Sequence, residues 1–391
     1  MVRFGDVVKN VNSVERGPEA AGIERIVGLD HLDPGNLHIR RWDTPGKGTS
    51  FTRKFTPGQT LFGKRRAYQR KVAYAEFEGI CSGDILTFEP KDKNTLLPEL
   101  LSFICQTNAF FEHALGTSAG SLSPRTNWGA LSEFEFALPP IEEQKCIAEI
   151  LWATDEVEKQ YHEAIGGLRE TALAVQNECF GSYLKRGKQG LIPVVKLGSV
   201  LEQPIVNGIF RTRDQYGRGT LLVNVTDIYG SFRVGPNTLE RVETDARERT
   251  TFSAIPGDVI FNRSSLVFDG IGKACLVPEW DEPVVFECHL MRARPDARRI
   301  DPRYLCRYSL SPFGRRYLFS RAQTTTMTTI NQGDLGEMPI PLPTLDQQAS
   351  AADRLDSVDA SIEDMETHVQ RAVMLRNDLI NGLLAGGNAH V

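Results

Sequence analysis

Three segments of the chain recur in the same order roughly 200 residues further on, which constrains the possible folds more than any other feature. Val2-Arg3-Phe4-Gly5 resembles Val195-Lys196-Leu197-Gly198 at an offset of 193. Pro57-Gly58-Gln59-Thr60-Leu61-Phe62-Gly63-Lys64 parallels Pro256-Gly257-Asp258-Val259-Ile260-Phe261-Asn262-Arg263 at 199, and Leu138-Pro139-Pro140-Ile141-Glu142-Glu143-Gln144 parallels Leu342-Pro343-Thr344-Leu345-Asp346-Gln347-Gln348 at 204. Two diverged copies with small loop insertions leave this trace. Within each copy, runs such as Val259-Ile260-Phe261 and Val284-Val285-Phe286 read as short strands. Stretches opening at Pro98 and Pro302 read as helices with proline in the first turn. Proline then disappears after Pro140 as far as Pro193, and after Pro343 to the last residue. The pattern predicts a mixed α/β (α+β) internal repeat: globular domains over 1–140 and 187–342, and long helices over 141–186 and 343–391.

The second helix carries a seam of alternating three- and four-residue steps: Leu355, Val358, Ile362, Met365, Val369, Ala372, Arg376, Leu379 and Leu383. At the repeat offset the first helix supplies Leu151, Thr154, Glu158, Tyr161, Ile165, Leu168, Ala172, Val175 and Cys179. Each seam has one charged member. An antiparallel coiled coil centred on Ile165 and Val369 brings Glu158 to Arg376, and Tyr161 to the small Ala372. A parallel pairing leaves both charges unpartnered, at a cost of about 3 kcal/mol. Gly166-Gly167 weakens the first helix and predicts a kink there.

Bulk properties limit the function. The chain has 391 residues, with 41% hydrophobic and 24% charged side chains, ordinary for globular protein, and a formal net charge of −5. No signal-like or membrane-spanning apolar stretch is present, so a cytoplasmic location is expected. The seven cysteines are scattered and without a C-x-x-C pair, as buried apolar residues of a reducing compartment would be. Charge is segregated. Residues 44–75 hold Lys47, Arg53, Lys54, Lys64, Arg65, Arg66, Arg70 and Lys71 and no acid, and residues 291–321 hold nine arginines against Asp296 and Asp301.

Enzyme signatures are lacking. Gly46-Lys47-Gly48-Thr49 has no upstream glycine at P-loop spacing, and no dinucleotide fingerprint or metal-spaced histidine pair occurs. Asp84, Glu89 and Lys91 have the D…E-x-K order of metal-dependent nucleases, an alternative carried forward. No metal site and no catalytic residue are otherwise expected.

The candidate DNA readers lie in loops. Lys64, Arg65, Arg66, Tyr68, Gln69, Arg70 and Lys71 follow a strand-like run and could place guanidinium groups on phosphates and guanine edges. Their counterparts in the second copy are Asn262, Arg263 and Ser265, so the two halves should read different sequences. A second pair of loops, Gly116–Trp128 with Arg125 and Asn127, and Gln323–Gln332 with Thr324 and Asn331, offers small hydroxyl and amide groups.

Two helix-entry motifs, Leu138–Gln144 and Leu342–Gln348, together with Leu61–Ala73, make the whole chain resemble the specificity subunit of type I restriction–modification systems. That resemblance implies two target-recognition domains, each reading half of a bipartite double-stranded DNA site, and spacer helices that dock two methyltransferase subunits. It implies restriction subunits as further partners, with S-adenosylmethionine, ATP and Mg²⁺ on the partners and no cofactor in this chain. The 28-residue seam, about 42 Å at 1.5 Å per residue, suits half-sites roughly one duplex turn apart. The other alternative is a coiled-coil interaction scaffold without base readout.

Overall fold

The computed structural model describes residues 1–45, 49–120, 123–229, 232–235, 239–324 and 326–384, without the side chains of 383 and 384. Lys47, Ser121, Leu122 and Thr325, and the side chain of Leu383, therefore lie outside the described residues. The chain divides into two compact units, residues 1–163 with 366–391, and residues 164–365. Each long helix passes from one unit into the other. Among the described residues no helix is long and apolar enough to cross a membrane.

The first unit has a four-stranded antiparallel sheet in the order Val8–Val11, Ile85–Pro90, Thr60–Gly63, Val72–Tyr74. The second unit repeats that order with Leu201–Asn207, Leu290–Pro295, Val259–Asn262, Ala274–Leu276. A smaller sheet in the first unit pairs Gly79–Cys81 parallel to Ile26–Val27 and antiparallel to Arg53–Phe55. Val284–Phe286 makes the same two kinds of pairing in the second, with Tyr216–Val223 and Ser253–Ala254. The turn before the central strand is built on glycine at positive φ in both units, Gly58 at 87° and Gly257 at 88°, a conformation that disfavours any side chain with a Cβ. The repeated Pro-Gly dipeptides thus mark one turn used twice.

Two helices cover each main sheet: Pro98–Gln106 and Asn108–Gly116 in the first unit, Pro302–Leu310 and Pro312–Arg321 in the second. Their apolar faces close cores around Phe4, Phe62, Phe88 and Phe110, and around Phe261, Tyr304 and Leu318. Five of the seven cysteines are buried, whereas Cys146 is exposed and Cys288 half-buried.

The first long helix runs Ile141–Gln176, continues through a π-helical turn at Asn177–Gly181, and ends with Ser182–Lys188. Helical hydrogen bonding carries through Gly166-Gly167, and the irregularity falls 11 residues later. There the wider turn sits beside a fully buried Phe180, which meets Tyr304 and Tyr308 edge-on with ring centroids 5.6 Å apart. The second long helix is Leu345–Leu384.

Each helix is fixed to its globule by the glutamine closing its entry motif. The Gln144 side chain is fully buried; its amide donates to the carbonyls of Thr95 (2.9 Å) and Pro139 (2.8 Å), and its oxygen accepts from the Leu97 amide (3.0 Å). Gln348 repeats this with the carbonyls of Arg299 and Pro343 and the amide of Asp301. Replacing it with an apolar side chain strands buried backbone groups at about 1–3 kcal/mol each. Gln348→Leu is therefore expected to lower the melting temperature of the second unit by about 5–10 °C, measured by differential scanning calorimetry, whereas Ser350→Ala at a nearby exposed position should leave it within 2 °C or so.

Candidate nucleic-acid interface

In both units the two loops singled out in the sequence come together. In the first unit, Lys64 O accepts from the Thr126 amide (3.0 Å), the Arg66 amide donates to Pro124 O (2.8 Å), and Arg65 bridges Arg125 in antiparallel fashion. In the second, Ser264–Ser265 pairs antiparallel with Thr328–Thr329, which also pairs with Gln323–Thr324, and the Ile330 amide donates to Arg263 O (3.0 Å). The repeat thus brings equivalent segments to equivalent places.

The first loop is stiff and strongly positive. Arg66 and Arg70, at φ of 54° and 52°, bracket a 3-10 turn over Ala67–Gln69. Left-handed conformations at non-glycine residues cost about 1 kcal/mol each and persist where surroundings impose them. Asp84 is the organiser: its carboxylate accepts from Arg125 Nε (3.1 Å) and lies 3.5 Å from Arg65, whose Nε donates to Ser123 Oγ (2.7 Å). Partial burial works against ionising Asp84, but the Arg125 hydrogen bond and the charges of Arg125, Arg65 and Lys64 hold its carboxyl below the usual range. Burial, followed by repulsion from Arg53, pulls the Lys64 ammonium below its ordinary value. Arg66 is exposed, as is Tyr68 at 55%. Gln69 is half-buried beside them.

Several proposed readers have other work. Arg70 donates to Gln106 O (2.9 Å) and Asn108 Oδ1 (2.8 Å) and lies over the Phe111 ring, while Lys71 donates to Leu29 O (2.5 Å). Asn127 and Asn331 cap the short helices Trp128–Ser132 and Gln332–Gly336, accepting from the amides of Ala130 and Asp334. Asn262 is fully buried; it donates to Tyr229 Oη (2.7 Å) and Gly270 O (3.1 Å) and accepts from the Ser264 amide. Ser265 is buried and accepts from the Val267 amide, and Arg263 donates to Cys288 O. Thr324 remains exposed, bonded to Thr328 at 3.0 Å. These side chains hold the loops in shape. Sequence reading missed the tip of the second loop, Leu266, Val267 and Phe268, which are 81%, 67% and 50% exposed; three consecutive apolar residues after a polar turn were the available signal.

The arginine-rich segment 291–321 is largely consumed internally, so its charge does not add up to a free basic surface. Buried Arg294 forms a two-bond pair with Asp258 at 2.8 Å, Arg303 and Arg307 bind Asp353, Asp356 and Asp359 of the second long helix, and Arg315 donates to Ile271 O and Asp269 O. The nuclease alternative gains no support from the geometry. Asp84 lies in the turn before the strand Ile85–Pro90, and Glu89 lies near that strand's far end. Asp84 is bound to arginines, and Glu89 accepts from Lys9 (2.7 Å) and Gln59 (2.8 Å).

In the first unit the two long helices run antiparallel. Arg376 donates to Glu158 at 2.9 Å and approaches Asp155 at 3.4 Å, and Ile380 packs in one cluster with Ile147 and Leu151. Tyr161 also stacks on His368, with ring centroids 5.7 Å apart. Burial raises the Glu158 pKa, with Arg376 pulling against it. Asp155 extends the network to His38, which binds Asp155 (2.7 Å) and Glu76 (2.9 Å).

Architecture and loop geometry define a two-unit repeat protein that presents paired loops from each unit. A family model described as type I restriction modification DNA specificity domain matches residues 43–165. The EcoDI specificity subunit of Escherichia coli is 28% identical over 164 residues, 38% of this chain and 35% of that protein. The MjaVIII specificity subunit of Methanocaldococcus jannaschii is 23% identical over 322 residues, 79% of this chain and 74% of that protein. The chain thus spans about a third of the first relative's length and three quarters of the second's. Among solved structures, the S subunit of a type I system from M. genitalium superimposes with a TM-score of 0.62 at 12% identity, covering 98% of this chain and 95% of that one. A chain from work on complex assembly and conformational transition of the type I R-M system gives 0.56 at 18%, covering 98% and 97%. Residues 43–165 thus match a type I DNA specificity domain, and the chain as a whole is similar in sequence and fold to specificity subunits of type I restriction–modification systems.

His38 carries a pH prediction. Its hydrogen bond to Asp155, then burial in opposition, then the charges of Asp155 and Glu76, leave its pKa raised. A raised histidine contributes stability that is complete below the unfolded value of about 6.5 and is lost as pH rises through the folded value. Melting of the wild type should therefore decline above about pH 6.5 more steeply than that of His38→Gln. Parallel melting curves from pH 6 to pH 9 or so would remove His38 from that account.

Proposed function

We propose that the chain is the sequence-specific DNA-binding subunit of a type I restriction–modification complex, each unit reading one half of a bipartite duplex site. The convergence of the two candidate loops in each unit carries this reading. In the first unit it gathers Lys64, Arg65, Arg66 and Arg125 around a single carboxylate, with Arg66 and Tyr68 exposed. Such a surface favours phosphate contact, with sequence read by the few side chains that reach base edges. The corresponding surface of the second unit presents hydroxyl and apolar groups, suited to different bases and to thymine methyls.

The chain itself is non-catalytic in this reading. Methyltransferase subunits dock on its helices, restriction subunits join the assembly, and S-adenosylmethionine, ATP and Mg²⁺ are bound by those partners in the cytoplasm. The 28-residue seam, about 42 Å long, sets the half-sites roughly one duplex turn apart.

The test uses the assembled complex. Arg66→Ala with Tyr68→Ala should weaken DNA binding and lower the slope of log affinity against log salt by about 1, the contribution of one phosphate contact. Modified-base sequencing should show a two-part methylated target. Unchanged binding and salt slope, or a continuous target, would favour the scaffold alternative.

A further inference from the structure

The turn behind the second unit's paired loops carries a chelating set of side chains. Glu287, Cys288 and His289 join the strand Val284–Phe286 to the strand Leu290–Pro295. Among the described residues they are the one group of three histidine, cysteine or carboxylate side chains whose ligand atoms all lie within 4.8 Å of one another. His289 Nδ1 is 3.0 Å from Glu287 Oε2 and 3.7 Å from Cys288 Sγ. A tetrahedral zinc ion with ordinary bond lengths sets nitrogen and oxygen ligands about 3.3 Å apart, and nitrogen and sulfur ligands about 3.6 Å apart. Two edges of such a tetrahedron are therefore already in place. Sequence reading looked for ligands at wider spacings and passed over this run.

Backbone contacts hold the turn from several sides. The Glu287 amide donates to Val223 O (3.1 Å) and the Leu290 amide to Glu287 O (3.0 Å), and Gly208 passes so close that a Cβ on it would lie 2.2 Å from Glu287 O. The His289 amide donates to Glu287 Oε2 (2.9 Å), which aims the carboxylate and can persist as an outer-shell bond around a metal. All three side chains line a cleft of about 900 Å³ together with Asp227 and Glu240, which leaves room for water at a fourth position. Arg211 at the same cleft is neutralised by Glu248. Thiolate, imidazole and carboxylate together select a zinc-class ion over Mg²⁺ or Ca²⁺.

The first unit shows what this turn does. Its counterpart is Ser82-Gly83-Asp84, placed by equivalent bonds: the Lys64 amide donates to Asp84 O (3.0 Å) as the Arg263 amide does to His289 O (2.8 Å). There Asp84 gathers Arg65 and Arg125 from the two loops. In the second unit the residues paired in that way are Ser264 and Thr329, which bring no charge, and the chelating run stands where the carboxylate was. Arg263 ties the run to the loops: its side chain donates to Cys288 O, and its own carbonyl accepts from the Ile330 amide (3.0 Å).

We propose that Glu287, Cys288 and His289 bind one zinc-class divalent ion, which holds the paired loops of the second unit as Asp84 holds those of the first. The thiol proton passes to buffer as the metal–sulfur bond forms, and the imidazole binds through Nδ1 with its proton on Nε2. Ion binding stands on this geometry alone, whereas the loops' role as readers rests on the function proposed above.

The test loads the metal-free full-length chain with Zn²⁺ or Co²⁺. The wild type should retain one Zn²⁺ per chain through dialysis against excess Mg²⁺, and Co²⁺ should give the near-ultraviolet charge-transfer band of a cobalt–thiolate bond. Cys288→Ser should abolish the band and weaken Zn²⁺ binding by at least about 100-fold, more than loss of an outer-shell partner costs. Cys146→Ser, at the exposed cysteine, should change neither. Zn²⁺ should slow hydrogen exchange at the Ser264, Ser265, Thr328 and Thr329 amides by about 10-fold, an effect absent in Cys288→Ser, and leave Arg65 and Arg125 unchanged. Zn²⁺ affinity and a cobalt band unaltered in Cys288→Ser would overturn the inference, as would a loaded site without slower exchange at those four amides. Uptake and slowing that persist in an assembled complex unable to bind DNA would support the ion site and count against the proposed function alone.

Discussion

Everything in this architecture hangs on how a long helix is joined rigidly to a globule, and one buried glutamine does that work in each copy. Gln144 and Gln348 each join three backbone groups, drawn from the loop before a covering helix and from the entry of the long helix itself. A side chain with one acceptor and two donor hydrogens can satisfy all three at once, and in a buried setting an unmet group is costly. Leucine, of similar size, could fill the space but would leave the helix entry without its direction. The rest of the motif is punctuation: prolines that end the preceding strand region and residues that start the helix.

Charge is used in two distinct ways. In the second unit, arginines of the segment 291–321 are turned inward and matched to carboxylates or carbonyls, so their number says little about the surface. Arg303 and Arg307 bridge to three aspartates of the long helix and reinforce the glutamine clip. In the first unit, one aspartate organises several cations and leaves a net positive surface. Composition made the two segments look alike. The difference lies in the acids that meet them, and for the second segment those acids are distant in sequence.

The scaffold was legible in the sequence because its determinants are local and were written twice. Pro57-Gly58 and Pro256-Gly257 mark the same turn, and the two entry motifs mark the same clip. Helical periodicity placed Glu158 opposite Arg376 because the seam leaves few alternatives for two charges. The loop chemistry was only partly legible. Sequence reading treated polar residues near a basic run as readers, yet Asn127 and Asn331 cap helices, Asn262 braces a loop from inside, and Arg70 and Lys71 bind carbonyls. A polar side chain in a loop serves the loop's own backbone first, since turns leave amides and carbonyls that need partners. Which residues remain free depends on the fold around them. Tyr161 shows the same limit on the helices: the register was legible from the pattern, but the stacking of its ring on His368 depends on the surrounding side chains.

Duplication also explains where the copies were free to diverge. The clip, the positive-φ turn, the sheet order and the capped short helix recur because each is a condition for the fold, and changing one costs stability in its own unit. The loop tips carry no such duty. One became Arg66 and Tyr68 and the other Leu266, Val267 and Phe268, surfaces that would recognise different chemistry. The outer helix face is less constrained by the fold, since Ile150 and Val157 stay 53% and 43% exposed. An apolar stripe there is a cost to a chain alone in water, while its counterpart Ser357 and Ser361 carries none. A second copy of the same gene segment would have begun with the same face, so a contrast this complete at matched positions points to selection acting on one end of the scaffold and not the other.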